Sequence, residues 1–218
     1  ASNTNRGNVF VNQGILRLNK QGAAQAISGG EVFVGDNVGP DDSDRLIYGT
    51  TAGTDQINNQ VVRISRTGKF DLNGKNDTIN NSFVLDVGPG MSADIATGSG
   101  VLTNSGTLFA VGQAGANTAA VINGIYDLNA GTRTFDIRDS AADVELDIQG
   151  TLQVTGVFGI TKIGQGRLRL SGNNTFTGTT TVTNGNLEVG SANALGTTAG
   201  NTIVSNLGAL EFNSATSL

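Results

Sequence analysis

Three carboxylates alternate with three aliphatics between positions 143 and 148: Asp143, Glu145 and Asp147 against Val144, Leu146 and Ile148. In an extended chain a period of two places all three acids on one outward face, with neighbours about 6–7 Å apart. Paired carboxylates near that spacing serve as acid and base in glycoside cleavage. The same pattern also makes an ordinary solvated strand face. The second reading is favoured, because sugar sites draw on stacking aromatics and the chain has no Trp and only two Tyr, Tyr48 and Tyr126.

A second acidic cluster lies in GDNVGPDDSDR, where Asp36, Asp41, Asp42 and Asp44 offer hard oxygen ligands of the kind calcium takes. The spacing is not that of an EF-hand loop, and the glycine-rich calcium repeat is missing. An acidic surface loop over 35–45, inserted at a corner of the fold, is the main expectation, with calcium as the weaker one. This least repetitive stretch is also the first choice for a binding contact. Gly164, Gly166 and Gly172 could cradle a phosphate, but no helix follows them and no Lys-Ser/Thr pair closes the motif. Thr179, Thr180 and Thr181 form a single triple rather than a regular array. With no His and no Cys, Ser-His-Asp and Cys-His nucleophiles, Cys/His zinc sites and disulfides are all excluded.

The elements that must position these residues are built from small polar side chains. The 218 residues include 32 Gly, 25 Thr and 24 Asn but only 2 Pro, and charged residues make up 14%, against about 25% in ordinary globular chains. Low charge together with recurring branched aliphatics argues against disorder, and the lack of a Gly-X-Y period excludes collagen. A net charge of −5 gives no footprint for phosphate backbones, so no nucleic-acid partner is expected. No apolar run approaches the roughly 18 residues that span a bilayer, so the chain is not expected to be membrane-embedded. Its first residues, ASNTNRG, carry no apolar core of a signal peptide. The lack of Cys suits an exported, disulfide-free bacterial surface protein.

Short alternating stretches recur along the whole chain: Val9 and Val11, Leu16 and Leu18, Val32 and Val34, Val62 and Ile64, Phe70 and Leu72, Leu108 and Ala110, Phe135 and Ile137. Val144 with Leu146 and Ile148, Leu152 with Val154, Leu168 with Leu170, Leu187 with Val189, and Leu210 with Phe212 complete the series. Each reads as a half-buried strand, and the spacers are rich in turn residues such as Asn73-Gly74, Asn123-Gly124 and Asn184-Gly185. No segment reads as an amphipathic helix. The chain is therefore all-β. Internal similarity separates a solenoid from a sandwich or barrel. Residues 9–34 resemble 180–204, with Val11 over Val182, Gly14 over Gly185 and Leu16 over Leu187 at an offset of 171, which defines a unit of about 170 residues. One short coil cannot bury an apolar face alone, whereas stacked coils share ladder and core with two neighbours. About ten coils are expected, in one solenoid domain over 1–218 that reads as an excerpt of a longer repetitive chain.

Residues 161–195, TKIGQGRLRLSGNNTFTGTTTVTNGNLEVGSANAL, carry the most specific pattern. The stretch resembles the autotransporter-associated β-strand repeat at Thr161, Lys162, Gly164, Gly166, Leu168, Leu170, Ser171, Gly172, Asn174, Thr175, Phe176, Gly178, Thr180, Thr181, Val182, Gly185 and Leu187. The resemblance implies a parallel β-helix of right-handed sense, in the exported passenger region of a bacterial surface protein. It assigns these residues to the scaffold, with no catalytic residue and no cofactor. The expected function is therefore a non-enzymatic, extracellular structural or adhesive segment. Its expected partners are further repeats or copies stacked end to end, and a cell-surface or polysaccharide ligand. The alternative is a carbohydrate-active β-helix enzyme or a tailspike-like segment acting on polysaccharide.

Overall fold

The computed structural model describes residues 1–213, so residues 214–218 of the expected domain lie outside the described residues. The chain winds as a parallel β-solenoid. Its first turn holds β1 (Val9–Val11) and β2 (Gly14–Leu18), and the second β3 (Val32–Val34) and β4 (Asp44–Tyr48). The third turn holds β5 (Val62–Ile64), β6 (Gly68–Asp71) and β7 (Asp77–Ile79), the fourth β8 (Phe83–Val87) and β9 (Asp94–Asn104), and the fifth β10 (Leu108–Gly112) and β11 (Ala120–Asp127). In the sixth come β12 (Arg133–Ile137), β13 (Leu146–Ile148) and β14 (Thr151–Gln153), and in the seventh β15 (Ile160–Ile163) and β16 (Arg167–Leu170). Long β17 (Thr180–Val189) fills most of the eighth, and β18 (Thr202–Phe212) opens a ninth.

All ladders are parallel, and residues of successive turns stack in columns. One inward column on the first face runs Val9, Val32, Val62, Phe83, Leu108, Phe135, Lys162, Val182 and Val204. On the second face Leu16, Leu46, Phe70, Ile95, Ile122, Ile148, Leu170, Val189 and Phe212 stack in the same way. A shorter third face is laddered through β7, the second halves of β9 and β11, and β14. The columns form one core, most of it wholly buried, as expected where each turn closes its neighbour's apolar face.

The solenoid has about eight complete turns, close to the ten expected. The difference lies in the corners. Along the first face a turn takes from 20 residues, Lys162 to Val182, up to 30, Val32 to Val62. Strands the alternation left unmarked, β4, β8 and β9 among them, supply the missing rungs. The columns also equate Val9 with Val182 and Leu16 with Val189, which shifts the apparent internal match by two residues. A shift of two preserves which side chains face inward.

Two glycines show why the corners need that residue. At Gly172 an added Cβ would overlap the carbonyl oxygen of Gly150 one turn back. At Gly185 the backbone φ is +66° and a Cβ would lie 2.5 Å from the Gly164 oxygen.

Candidate functional site

The acids between 143 and 147 do not form a solvated face. Asp143 is exposed in the corner before β13, but Glu145 is 1% and Asp147 8% exposed. Glu145 closes the preceding corner: its carboxylate accepts from the Ser140 N–H and hydroxyl at 3.0 and 2.8 Å and from the Arg167 N–H at 2.6 Å. Asp147 stacks in the outward column between Val121 and Arg169. It accepts from the Ser171 hydroxyl at 2.6 Å and from the Gln149 amide at 3.2 Å. Corner N–H groups that point into a buried space need an acceptor, and these carboxylates supply it. Period two gave the alternation but not the cover that neighbouring turns provide.

The four acids near position 40 diverge. Asp44 is wholly buried at the start of β4, where its carboxylate accepts from the Gln13, Gly14 and Asp36 N–H groups and from the Thr67 hydroxyl. Asp36 accepts from the Val38 N–H, Asp41 from the Ser92 N–H two turns on, and Asp42 forms an ion pair with Lys69 at 2.6 Å. Among the described residues no three acids are placed to share a metal ion. The loop between β3 and β4 covers 35–43, with Val38 exposed in it.

Gly164, Gly166 and Gly172 sit at corners between parallel rungs, with no helix to direct N–H groups at an anion. The other repeat residues are the scaffold of turns seven and eight. Leu168, Leu170, Phe176, Val182 and Leu187 are wholly buried. Buried Asn174 bridges three turns, accepting from the Leu152 N–H at 2.8 Å and donating to the Ala194 oxygen at 2.6 Å. Thr175 exposes its side chain while its N–H donates to Leu152. Gly178 stacks tightly on Phe158 and Gly159, and Thr180 is buried at the start of β17.

Lys162 is the residue whose role the sequence did not reveal. It occupies the inward column between Phe135 and Val182 and is wholly buried. Its ammonium donates to the carbonyl oxygens of Ile163, Gly164 and Asn184 at 3.1, 2.6 and 2.9 Å, one for each proton. Burial pulls its pKa down to about 8, opposed by the charges of Glu145 and Asp136. The one available signal was a Lys at an inward position of an alternating run.

The lateral faces differ in chemistry. The outer side of the second face is a ladder of charges, in which Arg169 meets Glu188 at 2.9 Å and Arg167 meets Glu188 and Glu211 at 3.6 and 3.0 Å. The first face is apolar and aromatic instead. Its outward column runs Phe10, Phe33, Arg63, Val84 and Phe109, and then meets the acid Asp136. The Phe10 and Phe33 rings stack at 4.8 Å, and the Arg63 guanidinium lies 6.0 Å from the Phe33 centroid while also pairing with Glu31 at 2.8 Å. Beyond it, Arg63, Val84, Asp86, Phe109, Val111 and Arg138 enclose a shallow groove of about 350 Å³.

Stacked parallel rungs, buried corner acceptors and a motif-rich seventh turn define a repeat scaffold. Residues 160–189 match the family model of the passenger-associated-transport-repeat. The matched stretch holds β15, β16 and the whole of β17, so such a repeat spans the seventh and eighth turns, in a β-solenoid of the kind found in autotransporter passengers. No curated protein and no solved structure matches the chain. No helix among the described residues is long and apolar enough to cross a membrane.

Proposed function

We propose that this chain is a non-enzymatic structural and adhesive segment of an exported passenger, held outside the cell as a stiff rod that presents lateral faces and corner loops. The observation that carries this reading is the unbroken set of inward columns through eight turns, with the transport-associated repeat forming the seventh and eighth. Such a stack is continuous along its axis, and its length scales with repeat number. The spent state of Glu145 and Asp147 speaks against polysaccharide cleavage, since neither has a free oxygen directed at solvent for acid or base work.

The test is surface labelling of the source cells with an antibody raised against the purified chain, together with electron microscopy of that chain. The expected result is labelling and protease shaving of intact cells, and particles whose eight rungs extend about 38 Å at roughly 4.8 Å each. Labelling only after permeabilisation, or release of shortened products from an acidic polysaccharide, would overturn the reading.

A further inference from the structure

We propose that the groove on the first face is a binding site for an anionic polysaccharide built of uronate-type sugars. The proposal rests on the presenting role proposed above and names the ligand class and the residues that would hold it.

Three observations converge here. First, the volume of about 350 Å³ lies at the lower end of ligand-binding clefts, and the groove is shallow and open along the axis, as a chain-like ligand requires. Second, its walls pair apolar surface with cations. Phe109 and Val84 are half-buried neighbours in one outward column, and Val111 stacks on Asp86 in the next. A half-exposed ring beside an aliphatic side chain is a platform for the C–H face of a pyranose. Third, the cations are placed at the two ends. Arg63 belongs to the third turn and Arg138 follows β12 of the sixth, three rungs or about 14 Å along the axis.

The two arginines are not equivalent. Arg63 is engaged by Glu31 and stacked on Phe33. The Arg138 side chain makes no hydrogen bond or ion pair among the described residues, although its backbone N–H is tied to Ala110. In a chain of net charge −5, a guanidinium left unpaired at the rim of an apolar groove is complementary to a carboxylate brought by a ligand. Asp86, on the groove floor, accepts weakly from the Ser65 hydroxyl at 3.5 Å and is free to take sugar hydroxyls. Burial raises its pKa, while the Ser65 hydroxyl and Arg63 lower it. A neutral sugar would use the platform without Arg138, and a bare polyanion would use Arg138 without the platform. A uronate chain uses both.

The probe is a galacturonate hexamer, titrated calorimetrically into the purified chain, with a neutral cello-oligosaccharide and poly-glutamate as comparisons. The expected result is salt-sensitive binding of the galacturonate that falls at least about 10-fold in Arg138→Gln and in Phe109→Ser, with neither comparison bound as tightly. Arg17→Gln, on the exposed outer side of β2, leaves binding unchanged. Circular dichroism and melting of each variant check that the rod is intact, and both groove substitutions lie on the outer surface. No binding of the galacturonate by the unaltered chain overturns the proposal. So does binding that survives both groove substitutions, or poly-glutamate bound as tightly, which would indicate an acidic-peptide surface. Failure here leaves cell-surface labelling untouched, so the two readings fall separately.

Discussion

Asp77 stands at the first position of β7, where its column continues into Leu102, Tyr126 and Leu152, and it is 1% exposed. One carboxylate oxygen, Oδ2, accepts from the wholly buried Tyr48 hydroxyl and from the Ile57 N–H at 3.1 Å, while Oδ1 is buried without a partner. Burial lifts the pKa from 3.8 to about 6, countered by the Tyr48 and Ile57 hydrogen bonds and reinforced by the charge of Asp55. Between pH 4 and 6 the folded state therefore holds a proton that the unfolded chain has released. Stability falls as pH rises through that window. A shift of about 2.2 units corresponds to about 3 kcal/mol at neutral pH. Asp77→Asn tests the reasoning, because the amide oxygen can keep both accepted bonds while its NH₂ takes the unpartnered position. Urea unfolding followed by circular dichroism at pH 4.5, 5.5, 6.5 and 7.5 should show the variant about 3 kcal/mol more stable than the native chain at pH 7.5, a margin that narrows to about 1 kcal/mol at pH 4.5. Subtracting the variant removes the titration of every other carboxylate. A variant that is destabilised at neutral pH, or a difference that does not change with pH, would refute the account.

Other expectations follow from the same columns. Lys162 has a folded pKa below its unfolded value, so between pH 8 and 10.5 the folded state sheds its proton first and stability should rise with pH. Lys162→Met should abolish that rise in thermal melts while leaving three carbonyls without their donor. Phe176→Ala, which empties a wholly buried site, should cost about 3–5 kcal/mol in chemical denaturation. Asp44→Ala should cost about 2 kcal/mol or more, because it strips an acceptor from three backbone N–H groups, and amide exchange should locate the loosening at Gln13, Gly14 and Asp36. Adding calcium should leave the melting temperature unchanged, since Asp36, Asp41, Asp42 and Asp44 have separate partners.

The fold class was legible because burial in a solenoid repeats at the period of the strand itself. Val32, Val62, Leu108 and Phe135 announce the core in any register that keeps parity. Turn length was not legible, because corner loops such as 35–43 add residues without adding a rung. The fate of the polar residues was equally hidden. Asp44 and Glu145 look like solvated acids in sequence, and only the turn below them shows which N–H groups they satisfy. Lys162 reads as one more charge until the column places it between a Phe and a Val. The lateral groove draws Arg63, Val84, Phe109 and Arg138 from four turns, and no local pattern links residues 75 positions apart.

The in-register ladder also governs how this rod would respond to tension. Its backbone hydrogen bonds point along the long axis, so a pull at the two ends loads them one rung at a time, as in a zipper, rather than all together in shear. Each rung that peels away releases 20–30 residues, or roughly 70–100 Å of extended chain at about 3.4 Å per residue. A stack of such turns acts as a shock absorber: it yields in small steps at modest force, lengthens many-fold before the tether is taut, and leaves the unpeeled turns as templates on which the rest can rewind.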